Sequence, residues 1–252
     1  MTDHVLSVRD LHKTFTLHAI NRTVASLSGV SFEAKANEHV AIAGASGAGK
    51  SSLLRCIYRN YLPDSGSVRL STSYGPIELT QLSDRAMARL RGREIGYVAQ
   101  FLNAPPRTGP LRFTTAAALR RGHSAGDAEE LAVESLRKLN IGEKLWQVDC
   151  AVLSGGERQR VNLAAGIVSP PRLLLLDEPV SALDPANRER ALTMIDDLAE
   201  QKVAVVGVYH DMRIIRQLAD RVLVMENGVV SGDGSPEDVL AEGHSSLKEE
   251  LV

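Results

Sequence analysis

The sequence predicts an α/β fold: a mostly parallel sheet, an N-terminal antiparallel β-layer and an inserted helical subdomain. Three observations carry that expectation. Glu38-His39-Val40-Ala41-Ile42-Ala43 is an apolar run that leads into a glycine-rich stretch and then into the helix-compatible residues 51–57. Leu173-Leu174-Leu175-Leu176 is a second apolar run, and it stops abruptly at Asp177-Glu178-Pro179. Lys202-Val203-Ala204-Val205-Val206-Gly207-Val208-Tyr209 is a third, ending at His210-Asp211. Short continuous apolar runs suit strands buried on both faces, as parallel strands are, and such strands deliver polar residues at their C-terminal ends, where ligands bind.

Bulk properties bound the remaining choices. The chain has 252 residues, 44% of them hydrophobic and 24% charged, which is the make-up of an ordinary globular protein with a sizeable core. A formal net charge of −2 gives no reason to expect direct nucleic-acid binding. Two cysteines, Cys56 and Cys150, have no metal-ligand spacing and suit a reduced, cytoplasmic setting. Met1-Thr2-Asp3-His4 lacks the basic-then-apolar pattern of a signal peptide, and no window is long and apolar enough for a transmembrane segment of its own. A membrane role would therefore pass through a partner.

In chain order, strand signals at 5–8, 14–17 and 30–32 predict the antiparallel layer. Phe15 lies in it; taken alone it reads as core, although it is the upstream aromatic placed to stack on a purine. Residues 66–80 predict a hairpin turning at Ser73-Tyr74-Gly75-Pro76, and 83–91 a short basic helix whose Arg85, Arg89 and Arg91 read as a solvated face, with a phosphate or partner patch as the alternative. Glu94-Ile95-Gly96-Tyr97-Val98-Ala99 is a buried strand ending at Gln100. Pro105, Pro106, Gly109 and Pro110 then break the chain before helices expected from about 113 to 121 and 127 to 139. Ser154 and Glu157 have capping-box spacing, so a helix starts at Ser154. Glycines at 155 and 156 in its first turn suggest that something must approach the backbone closely there. A last strand at 221–225 is followed by a glycine-rich turn and a short helix at 236–241. These elements define one domain: a core lobe at about 1–100 and 165–232, a helical lobe at about 101–164 and a C-terminal tail at 233–252.

Gly44-Ala45-Ser46-Gly47-Ala48-Gly49-Lys50-Ser51 fits G-x-x-x-x-G-K-[ST], and its strand–loop–helix setting is the context that this phosphate-binding loop needs. Glycines let backbone N–H groups turn inward around phosphate oxygens, and the following helix adds its positive end. Lys50 would reach the outer phosphates, and the Ser51 hydroxyl would hold Mg²⁺.

This loop, Gln100, residues 153–157, Asp177-Glu178, Ser181-Ala182-Leu183-Asp184 and His210 resemble, in that order, the motif set of ABC-type ATPases. The resemblance runs over nearly the whole chain. It implies a P-loop NTPase core of the RecA-like type, Mg-ATP hydrolysis, and ATP with Mg²⁺ as cofactors. It further implies that Gly44, Ala45, Ser46, Gly47, Ala48, Gly49, Lys50, Ser51 and Ser52 cradle the phosphates and that Phe15 stacks on adenine. Ser51, Gln100 and Asp177 would hold the metal, Glu178 would be the general base, and His210 would bond the γ-phosphate. Ser154, Gly155, Gly156, Glu157 and Asp184 would serve nucleotide held by a second ABC ATPase chain, in a head-to-tail dimer.

Several stretches narrow the resemblance. Arg55-Cys56-Ile57-Tyr58-Arg59-Asn60-Tyr61-Leu62-Pro63, Gln100-Phe101-Leu102-Asn103 with Pro106-Arg107, residues 139–146 and residues 206–211 are similar to the ATPase subunit of the bacterial carbon–phosphorus lyase system. That branch implies soluble phosphonate-pathway enzyme subunits as partners. Leu153, Arg158 and Val180 stand where that branch usually has Phe, Gln and Thr. The alternative is the motor subunit of a membrane transporter, peripheral to the inner membrane, with a permease gripping the surface from Gln100 to Arg121.

Overall fold

The computed structural model describes residues 4–17 and 22–241; the expected start at 1–3 and the tail at 242–252 lie outside the described residues. The strands, in chain order, are β1 (His4–Leu17), β2 (Arg22–Lys35), β3 (His39–Ala43), β4 (Ser65–Thr72), β5 (Gly75–Glu78), β6 (Ile95–Val98), β7 (Leu173–Asp177), β8 (Ala204–Val208), β9 (Arg221–Glu226) and β10 (Val229–Gly234). The helices are α1 (Lys50–Ile57), α2 (Asp84–Leu90), α3 (Pro110–Arg120), α4 (Ala125–Lys138), α5 (Gly155–Ile167), α6 (Pro185–Asp196), α7 (Met212–Leu218) and α8 (Pro236–Ala241). They group into two units, residues 1–88 with 204–252 and residues 89–203, so the second holds β6 and β7 as well as the expected helical lobe at 101–164.

In the first unit β1 and β2 are long antiparallel partners, running from His4↔Lys35 to Leu17↔Arg22. The separate signals at 5–8, 14–17 and 30–32 are thus parts of two 14-residue strands. Polar Arg9-Asp10 interrupts the apolar alternation, but a bulge there carries the pairing through, with Asp10 at φ 47°. β4 pairs with β1 and β5 with β4, which gives the sheet order β2-β1-β4-β5. β3 runs parallel to both β8 and β9, and all five of its residues are buried.

β10 corrects the expected glycine-rich turn after residue 225. The turn is only Asn227-Gly228, at φ 51° and 81°, and the chain then returns antiparallel along β9 from Val229↔Glu226. Asn-Gly is the residue pair that a tight hairpin favours. Gly232 and Gly234 weaken the strand pattern of 229–234, and the β9 ladder overrides them. Arg221 ties this edge together, donating to Asp233 Oδ2 at 2.6 Å and to the Glu33 carbonyl at 3.0 Å.

In the second unit β6 and β7 pair in parallel from Ile95↔Leu173 to Val98↔Leu176. α3 begins at Pro110, before the expected position 113, because a proline fits the first helical position where no N–H is needed. α4 begins at Ala125, where the Ser124 side chain accepts from Asp127 N. These two helices meet α5 over Ala117, Ala118, Ala128, Ala132 and Ala165, small residues that bring the backbones close. α6 and α7 have no counterpart among the expected elements, yet each is announced by an aspartate N-cap, Asp184 and Asp211.

His39 opens β3 with its ring buried and Nε2 2.9 Å from Tyr209 Oη. Burial lowers its pKa from 6.5 to about 3. The unfolded chain therefore takes up a proton below pH 6.5 that the folded chain refuses, and stability falls as pH drops through that window. The sensitivity is about 1.4 kcal/mol per pH unit. Chemical denaturation between about pH 6 and pH 4 should show the parent losing stability more steeply than His39→Gln by that slope. Parallel slopes would mean that the imidazole charges inside the fold.

Candidate functional site

In the first unit the loop between β3 and α1 is shaped by three glycines with positive φ: Gly44 at 136°, Gly47 at 82° and Gly49 at 104°. A Cβ on Gly44 would lie 2.1 Å from the Met225 carbonyl oxygen, and one on Gly49 would lie 2.3 Å from that of Ser26. At these two positions glycine answers both to conformation and to close backbone approach. Gly47 is different, since a Cβ there meets nothing within 4 Å; it sits with Ser46 on the exposed tip. α1 follows with Gly49 as N-cap, no side chain capping it and no acidic residue in its first turn. A helix start of this kind leaves backbone donors and a positive dipole end for an anion.

Lys50 is buried and lies across the loop, where its Nζ donates to the carbonyls of Gly44 and Ala45, the latter at 2.9 Å. Ser51 and Ser52, both half-buried, complete the first turn of α1. Phe15 is half-buried on β1, edge-on to Tyr61 with centroids 5.1 Å apart, and Lys13 Nζ lies 5.4 Å from its centroid. Lys13 is itself held by Asp64 at 2.9 Å. Hydrogen bonds from the Thr14 hydroxyl and Lys13 pull the Asp64 carboxyl down to about 2. His210 is exposed, two residues past the end of β8, and Asp211 beside it caps α7.

In the second unit β7 carries Asp177, 1% exposed, whose Oδ2 accepts from Tyr97 Oη at 2.9 Å. Glu178 then turns the chain at φ 52°, a left-handed conformation uncommon outside glycine. Its side chain accepts from Gln100 Nε2 at 3.0 Å, and its carbonyl accepts from Gln159 Nε2 at 2.7 Å. Gln159 also takes the Ala182 N–H at 2.8 Å, so one amide braces both sides of the bend.

The capping box at the start of α5 is complete. Ser154 N donates to Glu157 Oε2 at 2.8 Å, and Glu157 N donates back to Ser154 Oγ at 3.3 Å. The Ser154 hydroxyl is the main reason that the Glu157 carboxyl sits below its ordinary range. A Cβ on Gly156 would approach the Ala182 carbonyl at 3.2 Å, whereas one on Gly155 would meet nothing within 4 Å. Asp184 caps α6 through Asn187, whose side chain holds its carboxyl low.

The expected residues divide between the units: the loop from Gly44 to Ser52, Phe15 and His210 fall in the first, and Gln100, Asp177, Glu178, the Ser154–Glu157 box and Asp184 in the second. Tyr97 and Gln159 were missed. Tyr97 is the polar-tipped residue of an otherwise apolar strand, but its place opposite Leu175, two residues before Asp177 on the same strand face, is set by the β6–β7 pairing. Gln159 had no signal, because its two partners become neighbours only once α5 packs.

Each unit offers donors of the type that Mg-ATP takes: the Ser51 hydroxyl in the first, the Gln100 amide oxygen and the Asp177 carboxylate in the second, all hard oxygens. Among the described residues no group of three or more His, Cys, Asp or Glu is placed to hold a metal. Mg²⁺ keeps waters and phosphate oxygens and takes few protein ligands.

A glycine loop feeding an uncapped helix, together with an Asp-Glu strand end, defines a phosphate-loop ATPase. The family profile described as ABC transporter matches residues 27–181, and the chain belongs to that family. It is an ATPase with ATP and Mg²⁺ as its cofactors. Relatives include the histidine/lysine/arginine/ornithine transport ATP-binding protein HisP of Escherichia coli, 32% identical over 97% of this chain and 95% of its own length. The phosphonates import ATP-binding protein PhnC 2 of Haloarcula marismortui is 34% identical over 93% of this chain and 86% of its own. Among solved structures, the dimeric post-hydrolysis ATP-binding cassette MJ0796 bound to ADP and Pi matches with a TM-score of 0.83 and 26% identity, over 92% of this chain and 98% of that one.

Replacing Lys50 by Ala removes the buried cation of the loop. Calorimetric titration with Mg-ATP should show binding weaker by about 1.5–3 kcal/mol, or about ten- to a hundredfold. Parental affinity would remove Lys50 from the phosphate site.

Proposed function

We propose that this chain is the nucleotide-binding motor subunit of an ABC importer, hydrolysing Mg-ATP on the cytoplasmic side of a membrane whose permease is a separate chain. The observation that carries this reading is end-to-end similarity to import ATP-binding proteins, exemplified by HisP at 32% over 97% of the chain. Among the described residues no helix is long and apolar enough to cross a membrane, and in this reading the span is the permease's. Phe101, 77% exposed beside Gln100, makes the surface from Gln100 to Arg121 the docking candidate.

The expected roles follow from the chemistry of each group. The loop N–H groups and Lys50 bind the phosphates, and Phe15 offers a ring to adenine. Bound Mg²⁺ would neutralise phosphate charge as it develops, with Ser51, Gln100 and Asp177 holding it. Glu178 takes a proton from the attacking water, and the Gln100 amide, donating to its carboxylate, fixes which way the carboxylate faces. His210 bonds the γ-phosphate. Ser154, Gly155, Gly156, Glu157 and Asp184 serve the nucleotide of a second ATPase chain. Among the described residues a Cβ on Gly155 would meet nothing within 4 Å, which leaves room there for a partner's nucleotide.

The soluble carbon–phosphorus lyase partnership has the narrower support of the stretches named above, such as 55–63 and 206–211. The import name of the phosphonate relative leaves phosphonate as a cargo class for the transporter reading. Recovery of the chain with a membrane protein only in detergent supports the importer; co-purification with soluble enzymes and no membrane protein overturns it.

Glu178→Gln keeps volume and reach but cannot take a proton. Turnover should fall by on the order of 10²-fold or more with Mg-ATP still bound, and light scattering should show a trapped dimer. Hydrolysis at the parental rate would exclude Glu178 as the base.

A further inference from the structure

We propose that Tyr209 is a positioning residue for the ATPase reaction, latched to His39 so that the next residue, His210, is presented in a fixed orientation. The inference rests on the reading of His210 as the γ-phosphate contact and adds the device that holds it.

The latch has three parts, all within the first unit. Tyr209 is 2% exposed, and its Oη lies 2.9 Å from His39 Nε2, with the two rings 5.6 Å apart. Its ring folds back along the strand over Gly207. A Cβ at 207 would lie 2.5 Å from Tyr209 Cε2 and 2.7 Å from its Oη, so the ring occupies the place of a side chain. His39 is fixed in turn by Asp220, whose Oδ2 accepts the His39 N–H at 2.8 Å and whose own N–H donates to the His39 carbonyl at 3.0 Å.

The position of the latch along the chain gives it a role beyond packing. The β3–β8 pairing ends at Ile42↔Val208, and past it Tyr209 N reaches Ile42 O at 3.4 Å, a long bond. His210 follows at once and is exposed. Past the last β3–β8 pair, the buried Tyr209 side chain thus anchors the residue from which His210 follows. Filling this volume needs only an apolar residue. A buried hydroxyl–imidazole pair forgoes that gain and supplies direction instead, since neither group is satisfied unless the other is in place. Burial keeps His39 uncharged at neutral pH, which leaves the pair a neutral hydrogen bond.

Steady-state ATP hydrolysis by the full chain, with any partner that co-purifies, tests the latch. Tyr209→Phe and His39→Leu should each lower kcat by about tenfold, as a small misplacement of a reacting group does. KM for ATP should stay within about twofold, because the phosphate loop is untouched. His39→Gln, whose amide can still meet the Tyr209 hydroxyl, should recover most of the rate. Val206→Ala, buried on the other face of β8, should lower the melting temperature and leave kcat at the parental value. The proposal is overturned if both latch variants keep parental kcat while His210→Ala abolishes turnover, or if Val206→Ala slows turnover as much as they do. Parental turnover in His210→Ala itself would instead overturn the reading of His210, and the latch with it.

Discussion

The first unit depends on a close approach of backbone to backbone, the Gly44 α-carbon against the Met225 carbonyl at the end of β9. No Cβ fits there, and φ 136° is open only to glycine. Because β9 lies parallel beside β3, the loop leaves the sheet in one direction and delivers Lys50 to the start of α1. Gly49 repeats the constraint against Ser26 on β2. The antiparallel layer and the parallel strands are thus both pressed against the loop, and its shape is inherited from them.

The second unit solves a different problem. Glu178 must leave a fully buried strand and turn sharply, and it does so in a conformation that costs roughly 1 kcal/mol for a residue with a side chain. Gln159 and Gln100 offset that cost through side-chain amides rather than charges. The Gln100 amide donates to the carboxylate and so orients it. The Tyr97 hydroxyl donates to the Asp177 carboxylate.

The glycine loop, the apolar strands and the Ser154 box were legible because each is a local device: residue type and spacing alone determine what the backbone can do. β10 was hidden because its glycines look like a turn until β9 is beside them, although Asn227-Gly228 announced the hairpin. The length of β1 and β2 was hidden by Arg9-Asp10, which breaks the alternation without breaking the ladder. α6 and α7 carried readable aspartate caps and short, irregular apolar faces. Gln159 is the hardest case, since a buried glutamine in a helix gives no hint of the two backbone groups that it joins.

Gly207 and Tyr209 bear on how this sequence can change over time. The ring of one fills the space that a side chain on the other would take, so the two positions cannot vary independently. A lineage that enlarges residue 207 while keeping the tyrosine must move the ring away from His39 and so loses that pair. The coupling of the two positions is thereby written into the packing of a single ring.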